Sequence, residues 1–177
     1  MKKFLIGCGV LVLLLVVGLV VLGFVLPTEW SLERTVVINA PPAEVHTQLI
    51  DLRTWEDWSA WNREADPTCE WDYTGEPGTG MSMEWQGDTH GHGRMTITSA
   101  DPASGFTYDL EFLDFDSTAT GNFSYAPEGS GTKVTWYTEG DMDMFMGGLL
   151  AMALMPALEV AFDDGLAKLK TRVEGGS

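Results

Sequence analysis

Residues 144–173, MFMGGLLAMALMPALEVAFDDGLAKLKTRV, decide how the rest of the chain is read. Phe145, Met152, Met155, Phe162, Leu166, Leu169 and Val173 recur at spacings of three, four or seven, which predicts one long helix carrying an apolar stripe. Such a stripe requires an apolar partner. Asp141 or Asp143 suits the start of the helix, Lys168, Lys170 and Arg172 suit the negative end of its dipole, and Gly175-Gly176 closes the pattern. Pro156 lacks a backbone donor, so a kink, or a break near Gly147-Gly148, is expected. A bent helix across a sheet leaves room for a ligand.

Upstream, the chain reads as the sheet. Leu32 to Asn39 alternates, with Leu32, Val36 and Ile38 on one side, and predicts a first strand. Pro41-Pro42 suits a first helical turn, with Val45, Leu49 and Leu52 as the buried face of a short helix, and Thr54-Trp55-Glu56-Asp57 has the spacing that opens a second. Six further strand patterns follow: Glu70 to Thr74, Met81 to Gln86, Arg94 to Ser99, Phe106 to Leu113, Thr118 to Tyr125 and Lys133 to Thr138. Short strands at hairpin spacing predict an antiparallel meander whose one apolar face the final helix covers.

The N-terminus stands apart. Phe4 to Leu26 is an uncharged apolar run, long enough at about 1.5 Å per residue to cross a hydrocarbon layer of roughly 30 Å. Lys2 and Lys3 precede it and no Lys or Arg follows until Arg34, which predicts a cytoplasmic N-terminus and an extracytoplasmic domain, periplasmic in a Gram-negative cell. A cleaved signal peptide would have a shorter apolar core and a small-residue cleavage site. Leu5-Ile6-Gly7-Cys8 resembles a lipoprotein cleavage box, but the apolar run lies after that Cys. The expected layout is an anchor over 1–26, a linker over 27–32, one domain over 33–174 and a tail over 175–177.

Beyond the anchor, 8 basic residues face 26 acidic ones, a net charge of −18 that repels nucleic acid and anionic headgroups. Cys69 is the only cysteine there, so no disulfide forms within the domain.

The order of elements, a strand, two small helices, a six-strand meander and one long C-terminal helix, is that of the START-like, or Bet v 1-like, helix-grip fold, an α+β class. Val37-Ile38-Asn39-Ala40-Pro41-Pro42-Ala43-Glu44-Val45, with Leu49, Asp51, Leu52, Trp55, Trp58, Ser59 and Trp61 behind it, resembles the opening of the polyketide cyclase/dehydrase and lipid-transport superfamily (SRPBCC). Trp85 with Gly87, Gly91 to Met95, Gly131 to Trp136 and Phe162 to Lys170 are similar to the middle and end of a membrane-anchored bacterial branch. The resemblance implies a deep apolar cavity between sheet and helix. Its members bind lipids, hormones or polyketides there, and only some are enzymes. It transfers no catalytic residue, because catalytic groups differ among its branches.

Candidate lining residues follow from strand parity and the helix stripe: Met83, Trp85, Met95, Ile97, Tyr108, Leu110, Phe112, Phe123, Trp136, Met152 and Met155, while Trp55, Trp58 and Trp61, spaced by three, either rim the cavity or pack the small helices against the sheet. Methionine suits a pocket that adapts to varied apolar ligands. Glu159 falls at the margin of the stripe, where a carboxylate facing the cavity would act as acid, base or anchor, the alternative being a head turned to water. Asp88, His90 and His92 share strand parity, but glycines at 87, 91 and 93 mark a hairpin tip, and no metal or other cofactor is expected. Phosphate loops, nucleophile elbows and paired metal-binding cysteines are missing from the sequence, which favours binding over catalysis. The expected function is a membrane-anchored domain that binds a hydrophobic small molecule or lipid. A cyclase or dehydratase, and an envelope or stress interaction module with a filled interior, stay open as alternatives.

Overall fold

Period-two alternation carries the chain through seven strands: β1 (Glu29–Ile38), β2 (Glu70–Thr74), β3 (Ser82–Gly87), β4 (Gly91–Asp101), β5 (Gly105–Phe112), β6 (Ser117–Glu128) and β7 (Gly131–Asp141). The computed structural model describes residues 2–115 and 117–175, with side chains from residue 11 onward. Gly176 and Ser177, the end of the expected tail, and the side chains of Lys2, Lys3 and Cys8 lie outside the described residues. All pairings are antiparallel, in the order β1-β7-β6-β5-β4-β3-β2. This is the expected meander, with the first strand closing onto the last. β1 begins at Glu29, three residues ahead of the expected start, so Trp30 joins the inward parity of Leu32 and Ile38.

Between β1 and β2 lie α2 (Pro42–Leu49) and a 3₁₀ helix (Leu52–Asp57). The second begins earlier than predicted. Asp51, not Thr54, caps it, its carboxylate accepting from the Arg53 N–H at 3.1 Å. Val45, Leu49, Leu52, Trp55 and Trp58 are all buried, and the Trp55 indole donates to the Leu49 carbonyl at 2.8 Å, locking the two helices together.

The final helix, α3, runs from Gly147 to Gly175. It starts beyond the expected Met144, so neither Asp141 nor Asp143 caps it. The Met146 carbonyl instead accepts the first helical bond, from Leu150, and Met146 itself holds a positive φ of 66°. Pro156 sits inside the helix. The C-terminal half behaves as its stripe predicts, with Phe162, Leu166, Leu169 and Val173 buried. The N-terminal part of the stripe does not: Phe145, which precedes the helix, is 55% and Met152 60% exposed.

A column of rings ties sheet to helix. Phe106, Phe123 and Trp136 stand in register on β5, β6 and β7, with centroids 5.1 and 5.0 Å apart, and Phe162 of α3 stacks on Trp136 at 3.7 Å. Trp55 and Trp58 meet the column edge-on. Each such pair adds about 0.5–1.5 kcal/mol beyond area burial, so the column is the firmest part of the core.

The expected anchor is helical as α1 (Lys2–Val25). Among the described residues no helix is long and apolar enough to cross a membrane.

Candidate functional site

The same column that seals one end of the sandwich leaves its other end hollow. A cavity of about 580 Å³ lies between the sheet's concave face and the first half of α3. Its floor is made by inward positions of four strands: Met83 and Trp85 of β3, Met95 of β4, Tyr108, Leu110 and Phe112 of β5, and Trp136 and Thr138 of β7. Trp55, Trp61 and Trp71 wall one side, and Leu150, Leu154, Leu158 and Phe162 form the roof. Trp30, Phe115 and Asp141 to Met144 surround the open end.

Small residues make the hollow where large ones would fill it. A Cβ on Gly93 would stand 2.3 Å from the Trp85 ring, and one on Gly121 would stand 2.3 Å from Tyr108. The two bulky cavity residues thus lie flat over glycines of neighbouring strands instead of rising into the space.

Of the residues expected from the sequence, Trp55, Met83, Trp85, Met95, Tyr108, Leu110, Phe112 and Trp136 come together on the cavity wall. Ile97 and Phe123 are buried in the core beyond it, and Trp58 is fully buried, its ring against Trp136 at 5.6 Å. Met155 packs partly buried against the core without reaching the cavity, and Met152 faces solvent. The reason is helical phase. Residues 158, 154 and 150 step back from Phe162 in fours and drift to one flank, whereas 155 and 152 fall on or past the opposite flank, at about 100° per residue. The hollow lies on the leucine side.

Glu159 takes the outward of its two expected orientations and does not line the cavity. Its carboxylate pairs with the Arg34 guanidinium at 2.7 Å outside the cavity, its side chain 47% exposed, and Arg34 also reaches Asp163 at 3.2 Å. A long side chain at the stripe's margin turns its head to water and a partner. The two histidines of the hairpin tip diverge: His90 Nε2 meets the Asn62 carbonyl at 3.1 Å, while His92 Nε2 meets Glu84 at 3.1 Å. Among the described residues no three His, Cys, Asp or Glu side chains gather as a metal would need.

The polar groups of the wall are few. Glu56 is held in place by Arg63 at 3.0 Å and by the Tyr73 hydroxyl at 3.0 Å. Burial, then the neighbouring Glu56 charge, push the Tyr73 phenol well above its usual range, so it stays a neutral donor. The Tyr108 hydroxyl accepts from the Trp136 indole at 2.7 Å, and burial raises its pKa to about 12. The Tyr108 phenol on the wall is thus fixed to a protein partner, and the wall presents mainly carbon. Trp30, Trp71 and the leucines of α3 were not foreseen; β1's inward parity, extended two residues, identifies Trp30, and a step of four from Phe162 identifies the leucines.

A curved antiparallel sheet gripping a C-terminal helix around an apolar hollow defines a helix-grip architecture. The family model described as polyketide cyclase / dehydrase and lipid transport matches residues 29–174, and the chain belongs to that family. Solved structures share the fold. A Thermus thermophilus protein, TTHA0849, is 22% identical with a TM-score of 0.60, over 84% of this chain and 99% of that one. A Thalictrum flavum norcoclaurine synthase point mutant in complex with a transition-state analogue is 12% identical with a TM-score of 0.61, over 85% and 98%. DynU16, a protein of the dynemicin biosynthetic locus, is 14% identical with a TM-score of 0.58, over 83% and 48%. At these identities the likeness is one of fold. No curated protein matches the chain.

Proposed function

We propose that the domain binds a hydrophobic small molecule or lipid in this cavity while α1 holds it to a membrane, N-terminus cytoplasmic and domain outside. The observation that carries the reading is the hollow itself. About 580 Å³ falls within the roughly 300–1,000 Å³ of small-molecule sites, and its wall is aromatic and aliphatic, as such sites are. The family description, which includes lipid transport, is consistent with it. Anchoring is supported by the helical state of α1 over Lys2–Val25 and by its exposed apolar side chains, Leu11 to Leu22 and Phe24-Val25. Such a surface is stable in lipid and costly in water.

Binding is tested by filling the hollow. Leu154→Trp places a large ring in the roof, and an apolar dye that fluoresces in the wild-type cavity should then lose most of its signal. Equal dye uptake by both proteins would contradict the reading. One observation favours a second, enzymatic reading: Glu56 is a carboxylate on the cavity wall, oriented by Arg63 and Tyr73. Glu56→Gln separates the two. It should leave apolar binding intact, and a reaction dependent on that carboxylate would be lost.

A further inference from the structure

Strand register places everything at the cavity's open end beside the end of α1. Glu29, the first residue of β1, pairs with Asp141, and the Ser117 hydroxyl donates to the Asp141 carbonyl at 3.0 Å. Ser117 in turn pairs with Phe112, so the β5–β6 turn carrying Phe115 lies at that same end. α1 ends at Val25, and the three residues before β1 reach at most about 11 Å when extended. Direct contacts shorten the gap further. The Phe24 and Phe145 rings are 5.3 Å apart, and the α-carbon of Gly148 is so close to the Pro27 carbonyl that a Cβ there would stand 2.6 Å from its oxygen.

The apolar surface of the domain gathers in this one place. Among the described residues outside α1, the exposed large apolar side chains fall in 113–115 and 144–154, with Val37 and Val160 as the exceptions. Phe115 is 67% and Met144 47% exposed, on a domain whose net charge is −18. A patch of this kind marks an interaction surface. Its rim is acidic, with Asp114, Asp141 and Asp143, and neither segment contains a Lys or Arg.

The geometry points to this open end as a portal resting on the bilayer, through which an uncharged or cationic amphiphile passes from the outer leaflet into the cavity without crossing water. The inference rests on the proposed anchoring and binding, and adds where the ligand enters and what charge it carries. The occupant of the patch is a zwitterionic or neutral lipid surface. Continuity with α1 brings that surface within reach, and the acidic rim disfavours anionic headgroups.

The test uses the full chain in nanodiscs of zwitterionic phosphatidylcholine, with Cys8→Ser and Cys69→Ala and a nitroxide attached at either Met144→Cys or Ala103→Cys. Ala103 lies in the β4–β5 turn at the opposite end of the sheet. The label at 144 should collide with oxygen and be shielded from an aqueous nickel chelate, and the label at 103 should show the reverse. Equal nickel access at both sites overturns the portal. So does dipolar broadening at 144, which would mean that a second copy covers the patch.

Loading with a dansylated long-chain amine dissolved in the discs gives the second readout. Phe145→Glu, outside the cavity lining, should slow loading at least tenfold and leave final occupancy unchanged; wild-type rates would overturn the portal alone. Equal loading of wild type and Leu154→Trp would instead defeat the cavity reading. Replacing the amine with a dansylated fatty acid should reduce loading several-fold, and equal loading would remove the charge preference.

Discussion

Gly121 and Gly165 show how differently two close approaches bear on this molecule. A Cβ on Gly121 would press to 2.3 Å against Tyr108, whose hydroxyl is fixed by the Trp136 indole. Gly121→Ala should therefore lower stability by about 2 kcal/mol, the cost of overpacking, and lower Tm by several degrees in calorimetry. Gly165 has 3.6 Å of clearance to Trp58 and lies inside α3. Gly165→Ala should leave Tm unchanged or raise it, since alanine is favoured over glycine in a helix by about 1 kcal/mol. His46 adds a pH dependence. It is buried, with Nδ1 3.2 Å from the Tyr125 hydroxyl, and burial, opposed by the Asp101 charge, holds its pKa below the ordinary value. The unfolded chain thus binds the proton more readily. Stability is complete above about pH 6.5 and declines as pH falls from there toward the lowered folded value. Urea denaturation in steps from about pH 7.5 to 5.5 should show that decline, and His46→Gln should flatten it.

At the scale of elements, the alternation of apolar residues identifies all seven strands, and their faces, because a one-residue slip would turn Met83, Trp85, Tyr108 and Trp136 outward. Strand ends were less legible. β4, β6 and β7 extend two to three residues past their apolar cores at one or both ends, since pairing with a neighbour holds polar residues in the ladder that pattern alone does not mark. The final helix was legible in existence and only half legible in orientation. Its sequence is apolar all round from Gly147 to Leu158, so periodicity there selects no single face. Tertiary packing selects it: Phe162 stacks on Trp136, and the preceding turns then present Leu158, Leu154 and Leu150 to the hollow. That phase is directly testable. Met152→Trp should leave cavity binding within about twofold of wild type, whereas Leu154→Trp should weaken it at least tenfold, as read by dye titration.

On the scale of the whole molecule, a residue pattern shows that a face is apolar and says nothing about whether two such faces meet or stand apart. The hollow depends on α3 beginning beside α1, on Phe162 and Trp136 sealing one end, and on glycines at 93 and 121 letting Trp85 and Tyr108 lie flat. None of these is a local signal. If the cavity exists to hold a greasy molecule, affinity should follow buried carbon. Each methylene adds about 0.8 kcal/mol, close to fourfold in Kd, until the space is full. The most direct measurement is titration of the protein with straight-chain amphiphiles of increasing length, neutral in charge, against the Leu154→Trp variant. The account predicts a Kd that falls about fourfold per methylene and then levels off, with the plateau reached at shorter chains in Leu154→Trp. Affinity independent of chain length, or a series identical in the two proteins, would contradict it.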